Sequence, residues 1–599
     1  MKEKEFFYFH DGMNRKKSPL LLGQAEAYTL EGFSMEKAGV LEPRVQRATL
    51  KTITTLAYNQ GIHRNESNVY AFQDHKCHGQ ASNASAWTSD GLSDNFFNHI
   101  YRRSSDSDGT YSKIGISRGS NRASVRDYKN FTFFADGEDV FVLDGQYQHD
   151  WRIPNPDKAP YLEKVASVYG FGDNGESFNY RYTYYLTFSN GEVVETGPSP
   201  AKSITFAAQS YVRVFVPKFC IEFPYSRDNI TVESVIYRTA NGGSTYYKVF
   251  KGAVPYQDPI DAFSNVDEQY NDTMSDATLI TQTALTTTLY NPVPAYFDDI
   301  ELHLQRMFGI KNDTLYWSEE YLPFAFKTAS NIVVSSGGED LKAIVAWGDR
   351  LWIVSDATWY CLVGSDDDSW AIKYTWTDKG ITNTHTVART EYGILGLNYE
   401  GVCLFNGYTS KCITEQILGK EFFDDIVDLD LCYASWDGRK YYLYYPSSGS
   451  TINDSIILDF TNYPQIIVYK SDFNATGRMH YYPAGTTYVV LGGYEYIEGG
   501  TATINSTWQT REVDFGDITE RKALKELHYD LTGTVSVAIY ADGSLAQTVS
   551  ITETSRTRDF VKLARIEGYR FYMIITCSAT ASLELYEPMT LTAVNAGDI

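Results

Sequence analysis

Apolar and polar residues alternate with a period of two along nearly the whole chain, as in Tyr211-Val-Arg-Val-Phe-Val216 and Val535-Ser-Val-Ala-Ile-Tyr540. In a strand, successive side chains point to opposite faces, so this spacing buries one face of a sheet and wets the other. Sustained three-and-four spacing is scarce. Short helical turns are expected only near Ser93–Arg102 and Glu415–Val427. The chain reads as all-β, and its 47 tyrosines suit that reading, because a tyrosine ring packs across a pleated surface while its hydroxyl stays wet.

Turn chemistry divides the alternating runs into hairpins. Residues 131–145 and 392–407 echo one another: an apolar strand, a glycine-bearing turn, then a second apolar strand ending at Asp144-Gly145 or Asn406-Gly407. Such dipeptides accept the positive φ that tight β-turns require. Similar units occur at Met307–Trp317, Ala343–Val363 and Cys432–Tyr445. Antiparallel units about 40–50 residues apart suggest a β-propeller-like body without a WD or kelch consensus, and a series of two-sheet sandwiches is the competing arrangement. At 599 residues the chain exceeds one core, since single cores stop growing near ~250–300 residues. The expected division is an N-terminal arm (1–50), a propeller in two parts (51–158 and 281–500), an inserted fibronectin type III-like sandwich (159–280) and a C-terminal β-sandwich (501–599). The insert is marked by Tyr180–Phe188, the turn at Ser189-Asn-Gly191, and Val235–Thr239 leading through Asn241-Gly-Gly243 to Tyr246–Phe250.

Charge narrows the function classes. With 52 basic and 75 acidic side chains the net charge is -23, so the body repels nucleic acid and anionic membranes. Residues 1–60 depart from this, with nine Lys/Arg against seven Asp/Glu. The seven cysteines, without a CxxC pair, suit unpaired thiols in a reducing compartment. No run approaches the ~18 apolar residues of a membrane span, and the first residues lack a Sec-type signal core. Stable membrane insertion is not expected.

Catalytic and metal-binding patterns are weak. His75, Cys77 and His78 cluster, but no second pair follows at zinc-site spacing. Asp106-Ser-Asp-Gly-Thr110 and Asp366-Asp-Asp368 resemble fragments of calcium loops, and turn chemistry accounts for them better. The first also grazes the sialidase Asp-box with the wrong offsets. No nucleophile elbow, HExxH or phosphate loop occurs. No catalytic, cofactor-binding or metal-binding residue is assigned, no cofactor is expected, and the chain reads as a non-enzyme.

Phe9-His-Asp-Gly-Met-Asn14, Ser18-Pro-Leu-Leu-Leu22, Ala25-Glu-Ala27 and Gly39-Val-Leu-Glu-Pro-Arg44 resemble the amino-terminal signature of tail nozzle proteins of short-tailed bacteriophages, also called tail tubular protein B or packaged-DNA stabilisation proteins. Ile236-Tyr-Arg-Thr239, His303–Gly309, Thr314–Ser318, Trp359–Gly364 and Gly401–Gly407 continue the resemblance in order, to about residue 460. It implies a virion protein made in the host cytoplasm, a subunit of a homohexameric ring below the portal and adaptor, which retains packaged DNA and guides its ejection through an acidic lumen without specific binding. The signature residues Gly12, Asn14, Ser18, Pro19, Gly39, Leu41 and Arg44 would then dock the arm to the adaptor. Tail fibres or spikes and a channel plug are further partners compatible with it. The alternative is a receptor-binding or glycan-cleaving tail protein on a propeller scaffold.

Overall fold

The alternating segments form antiparallel meanders. A computed structural model describes residues 3–596 apart from 25, 32, 35–39, 44, 53–58, 65–68, 74–97, 104–111, 118–121, 146, 218, 220–229, 254–268, 336, 365, 367–368, 376–378, 450–451, 472–476, 482–485, 492–493, 504 and 579–582. For 45–121 and 471–504 it describes the backbone alone. Six separate four-stranded sheets, and a seventh at the end of a larger sheet, follow one another as blades. Their first strands are Asn59–Arg64, Ser124–Tyr128, Asp299–His303, Leu341–Trp347, Ala388–Arg389, Tyr433–Trp436 and Gly477–Tyr481. First strands of successive blades pack together at the second and third, third and fourth, fifth and sixth, and sixth and seventh blades, and the seventh meets the first. The fold is a propeller-like all-β body with an inserted sandwich and a C-terminal β-unit.

The seventh blade explains how the body closes. Its fourth strand is Val45–Thr52, which pairs with Tyr494–Thr503 from the far end of the chain. The expected boundary at residue 50 therefore falls inside a propeller strand. The expected helical turn at 93–102 is corrected over its described part: Asn98–Arg103 is a strand held between Val69–Gln73 and Ser112–Ser117, so sheet pairing outweighs its weak helical spacing. The turn near 415–427 is borne out as a helix, Gly419–Asp424.

The two echoing segments occupy equivalent places, the middle strands of the second and fifth blades. Phe131–Ala135 pairs with Val140–Leu143, and Ile394–Asn398 with Gly401–Phe405. Gly145 (φ +93°) and Gly407 (φ +91°) close both units as the turn chemistry requires.

The insert sets the three-stranded sheet Tyr161–Ala166, Ser210–Phe215, Gln269–Asp272 against a second sheet built on Ser177–Thr187 and Thr231–Thr239. Between them Arg238 is fully buried, with Nε 2.8 Å from Asp272 and one terminal nitrogen 2.8 Å from Asp276. The C-terminal unit is organised by a long hairpin, Lys522–Ala541 and Ser544–Gly568. Bulges skip residues 554–556 and 563–565 of the second strand, which also carries Arg556, Arg558, Lys562 and Arg565. Bulges and charges on an edge strand discourage unwanted pairing.

Among the described residues, Cys403 and Cys412 face each other on adjacent strands and are disulfide-bonded, which corrects the expectation of unpaired thiols there. Cys361, Cys432 and Cys577 are free and buried, and Cys77 and Cys220 lie outside the described residues. No described helix is long and apolar enough to cross a membrane.

Candidate functional site

The signature segment is woven into the body rather than standing away from it as an arm. Glu3–Phe7 pairs with Met589–Asn595, Thr29–Glu31 with Ser506–Gln509, and Val40–Pro43 with Leu583–Tyr586. Phe7, Phe9, Met13, Leu30 and Leu41 join the core of the last blades and the C-terminal unit. Period-two burial dictates this result, because those apolar residues have no sheet of their own to cover.

Four signature residues converge on one exposed loop. Gly12 has φ +74°, and a Cβ there would stand 2.6 Å from Ile467 Cγ2 and 2.9 Å from the Val468 carbonyl oxygen, so only glycine fits. Buried Asn14 donates from Nδ2 to Glu26 Oε1 (2.8 Å), while its Oδ1 accepts from the backbone N–H groups of Lys16 (3.1 Å) and Lys17 (3.3 Å). The N–H groups of Arg15 and Lys16 donate to the Ile417 carbonyl at 2.9 and 3.1 Å. Ser18 precedes a single 3-10 turn, Pro19–Leu21, and the Pro19 carbonyl accepts from Glu512 N–H at 3.0 Å.

This framework presents Arg15, Lys16 and Lys17 to solvent. Lys17 Nζ lies 2.8 Å from Glu26 Oε1, and the Arg15 guanidinium lies 4.6 Å from the Tyr28 ring centroid. Burial pushes the Glu26 carboxyl up, but hydrogen bonds from Lys17, Gly23 N–H and Asn14 outweigh it and hold the group below its ordinary range. Leu41 is fully buried in the sheet and belongs to the core, not the loop. Gly39 and Arg44 lie outside the described residues.

The propeller axis is the second place where polar side chains gather. Asp299 Oδ1 accepts from Ser124 Oγ (2.5 Å) and its Oδ2 from Ile344 N–H (2.8 Å), so one carboxylate ties the first strands of the second, third and fourth blades. Burial raises its pKa, with Arg126 opposing. Arg126 grips Glu301 through Nε and one terminal nitrogen, both at 3.2 Å, and Arg389 of the fifth blade approaches Glu301 to 3.6 Å. The Arg122 guanidinium sits 4.0 Å from the Tyr433 ring centroid, and burial lowers its pKa to about 10. Burial, then the Arg122 charge, pushes the His385 imidazole down to about 3, so it is neutral at pH 7.

Both axial carboxylates thus act as ties between blades. They stand two residues apart on one strand, roughly 6.6–6.8 Å by strand rise, rather than facing each other across a gap. The axial cluster carried no recognisable signal in the sequence, because its members come from five separate segments. Of the other sequence candidates, residues 75–78 and 106–110 lie outside the described residues. Asp366 Oδ1 accepts from Ser369 N–H at 3.0 Å, as a turn-forming aspartate does.

No family model and no curated protein matches the sequence. Solved structures matched at low similarity include YCF48 from Cyanidioschyzon merolae, 8% identical, covering 75% of this chain and 98% of that one at a TM-score of 0.23. An exo-β-1,3-galactanase from Phanerochaete chrysosporium is 10% identical, covering 91% and 99% at a TM-score of 0.19. The strand pairing described above, rather than these likenesses, establishes the architecture.

Proposed function

We propose that this chain is a structural subunit of a phage tail nozzle, assembling as a six-fold ring that extends the portal and adaptor channel, retains packaged DNA and guides its ejection. The observation that carries the reading is the signature segment: its motifs occur in the family's order, and Gly12, Asn14, Ser18 and Pro19 rigidly support one basic loop on a chain of net charge -23. A pre-organised loop loses little conformational entropy on docking, and three cations suit an acidic adaptor surface. An acidic lumen would let phosphate slide without sticking. In this reading the chain is not an enzyme, and tail fibres or spikes and a channel plug are further partners compatible with the ring.

The test is imaging and mass measurement of the purified protein, alone and with the portal–adaptor complex. Closed rings and adaptor binding are expected. Reversing the loop through Arg15→Glu and Lys16→Glu, with the supporting Lys17–Glu26 pair left intact, should weaken adaptor binding at least tenfold without changing the fold. Monomers under both conditions, together with cleavage of a polysaccharide, would replace this reading with the glycan-cleaving alternative.

A further inference from the structure

Lys522 is a buried lysine whose nearest partner is a side-chain amide. It is 1% exposed, and its Nζ donates to Asn595 Oδ1 at 2.8 Å. Two carboxylates complete its surroundings: Glu3, with Oε2 at 3.0 Å and Oε1 at 3.2 Å, and Glu520, with Oε2 at 3.2 Å. Lysine is almost never fully buried unless paired, so the carboxylates account for the burial. They do not account for an amide carbon held beside the amine.

Strand register places the three groups together. Met589–Asn595 runs between Glu3–Phe7 and Lys522–Ala541, with Lys522 directly opposite Asn595 and Glu3 directly opposite Ala593. Paired residues share one face of a sheet, and so do residues two apart on a strand. Amine, amide and Glu3 therefore stand on one face of three neighbouring strands. A carbonyl bond of about 1.23 Å puts Asn595 Cγ within about 4 Å of Nζ. Reacting atoms poised for attack lie ~3–3.5 Å apart, so a small side-chain shift brings them into reach.

We propose that Lys522 and Asn595 join through an intramolecular isopeptide bond, with Glu3 as the general acid and base. The Lys522 ammonium gives one proton to the Glu3 carboxylate. The lone pair of the neutral Nζ then attacks Asn595 Cγ and forms the new C–N bond. The Cγ–Nδ2 bond breaks with its electron pair on Nδ2, which takes the proton held by Glu3 and a second one shed by Nζ. The nitrogen leaves as ammonium, and Glu3 is a carboxylate again. Glu3 Oε2 makes no hydrogen bond among the described residues and faces Nζ, so it is placed to carry the proton. Burial pushes the Lys522 ammonium down, but hydrogen bonds to Glu3 and Glu520 outweigh it and hold the group above its ordinary range. The neutral amine is therefore scarce, and the bond forms slowly, once per chain. Until it forms, Lys522 pairs with Glu3 as an ion; afterwards Arg511 with Glu5 is the ion pair that remains on the first strand. The bond clamps Met589–Asn595 to the long hairpin, whatever the chain assembles with.

The test is intact mass and peptide mapping of the full chain, sampled at intervals after purification. Folded wild type should fall below its sequence mass by one ammonia. Trypsin does not cut at an acylated lysine, so it should release a branched peptide joining Lys522 to Asn595. Lys522→Arg keeps the cation and Asn595→Ala removes the carbon attacked; both should hold the sequence mass and give no branch. Glu3→Gln should slow joining on the order of a hundredfold, the usual worth of a general acid or base. Asn-Gly turns such as Asn190-Gly191 also shed ammonia, as succinimides. A mass loss equal in wild type and Lys522→Arg therefore overturns the bond, as does a wild type that keeps its full mass and is cut at Lys522. Joining at an unchanged rate in Glu3→Gln overturns the role of Glu3.

Discussion

The inserted sandwich and the N-terminal strand are both additions to the propeller, yet they are fastened by different physics. The insert enters through rings: Phe188 packs edge-on against Phe131 (5.0 Å) and His149 (5.0 Å) and stacks on Phe324 (5.7 Å), in a core continuous with the second blade. The N-terminal strand Glu3–Phe7 lies on a sheet edge with Lys4 and Phe6 exposed; Phe7 alone enters the core, and its other side-chain ties are ionic. Lys522 Nζ lies 3.0 Å from Glu3 and 3.2 Å from Glu520, and Arg511 lies 2.6 Å from Glu5. Burial of apolar area does not weaken with salt, whereas ion pairs that keep some access to solvent are screened in part. The insert is thus joined to the body through a shared apolar core, and the strand is the softer attachment.

The sharpest test of this contrast is Phe188→Ala. Removing a phenylalanine from a close-packed aromatic core loses both transfer energy and contacts around the cavity, about 3–5 kcal/mol. Urea unfolding followed by far-UV circular dichroism should register that loss, with a first transition from the tryptophan-free insert preceding the tryptophan-fluorescence transition of the propeller. A loss below about 1 kcal/mol would mean that the rings do not hold the joint.

A buried, hydrogen-bonded carboxylate at the insert joint yields the next largest effect. Asp144 Oδ2 lies 2.8 Å from His149 Nε2 and 2.6 Å from Ser189 Oγ, and Ser189 belongs to the insert. Burial pushes the Asp144 carboxyl up, but the His149 and Ser189 hydrogen bonds outweigh it and bring it down to about 2. A folded pKa below the unfolded value gives stability that is present above the unfolded pKa of 3.8 and lost as pH falls through about 2. Stability should therefore fall by about 2 kcal/mol between pH 5 and pH 2, with the part carried by Ser189 belonging to the joint. Asp144→Asn should flatten that part of the stability–pH profile and Ser189→Ala should flatten it in part; an unchanged slope in Ser189→Ala would show that Asp144 does not couple the insert to the blade.

What the sequence made legible follows from where the contacts lie along the chain. Hairpins closed by Asp144-Gly145, Asn406-Gly407 or Asp437-Gly438 are local, so their turn chemistry announces them. The insert was legible for the same reason, through its strands and turns. Blade number was not, because the closing strand Val45–Thr52 meets Tyr494–Thr503 across most of the chain, and alternation alone does not say which strands pair. The signature residues were visible as motifs, but their joint support of a basic loop depends on Ile417, Ile467 and Glu512, far away in sequence.

The smallest expected effect concerns the N-terminal strand, and it separates the two attachments most directly. Lys522 and Arg511 are mostly buried while Glu3 and Glu5 keep partial access to solvent, so salt screens each ion pair only in part. Raising salt from about 0.1 to 1 M shortens the screening length from ~10 to ~3 Å, comparable to the separations themselves. Hydrogen exchange at the amides of Glu3–Phe7 should accelerate several-fold over that range, while the amides around Phe188 hold their rates or slow slightly as salt strengthens apolar burial. Equal acceleration at both places would show that ions fasten the insert as well. No acceleration at Glu3–Phe7 would transfer its attachment to main-chain pairing with Met589–Asn595 and to Phe9, buried edge-on against Trp508 at 5.2 Å.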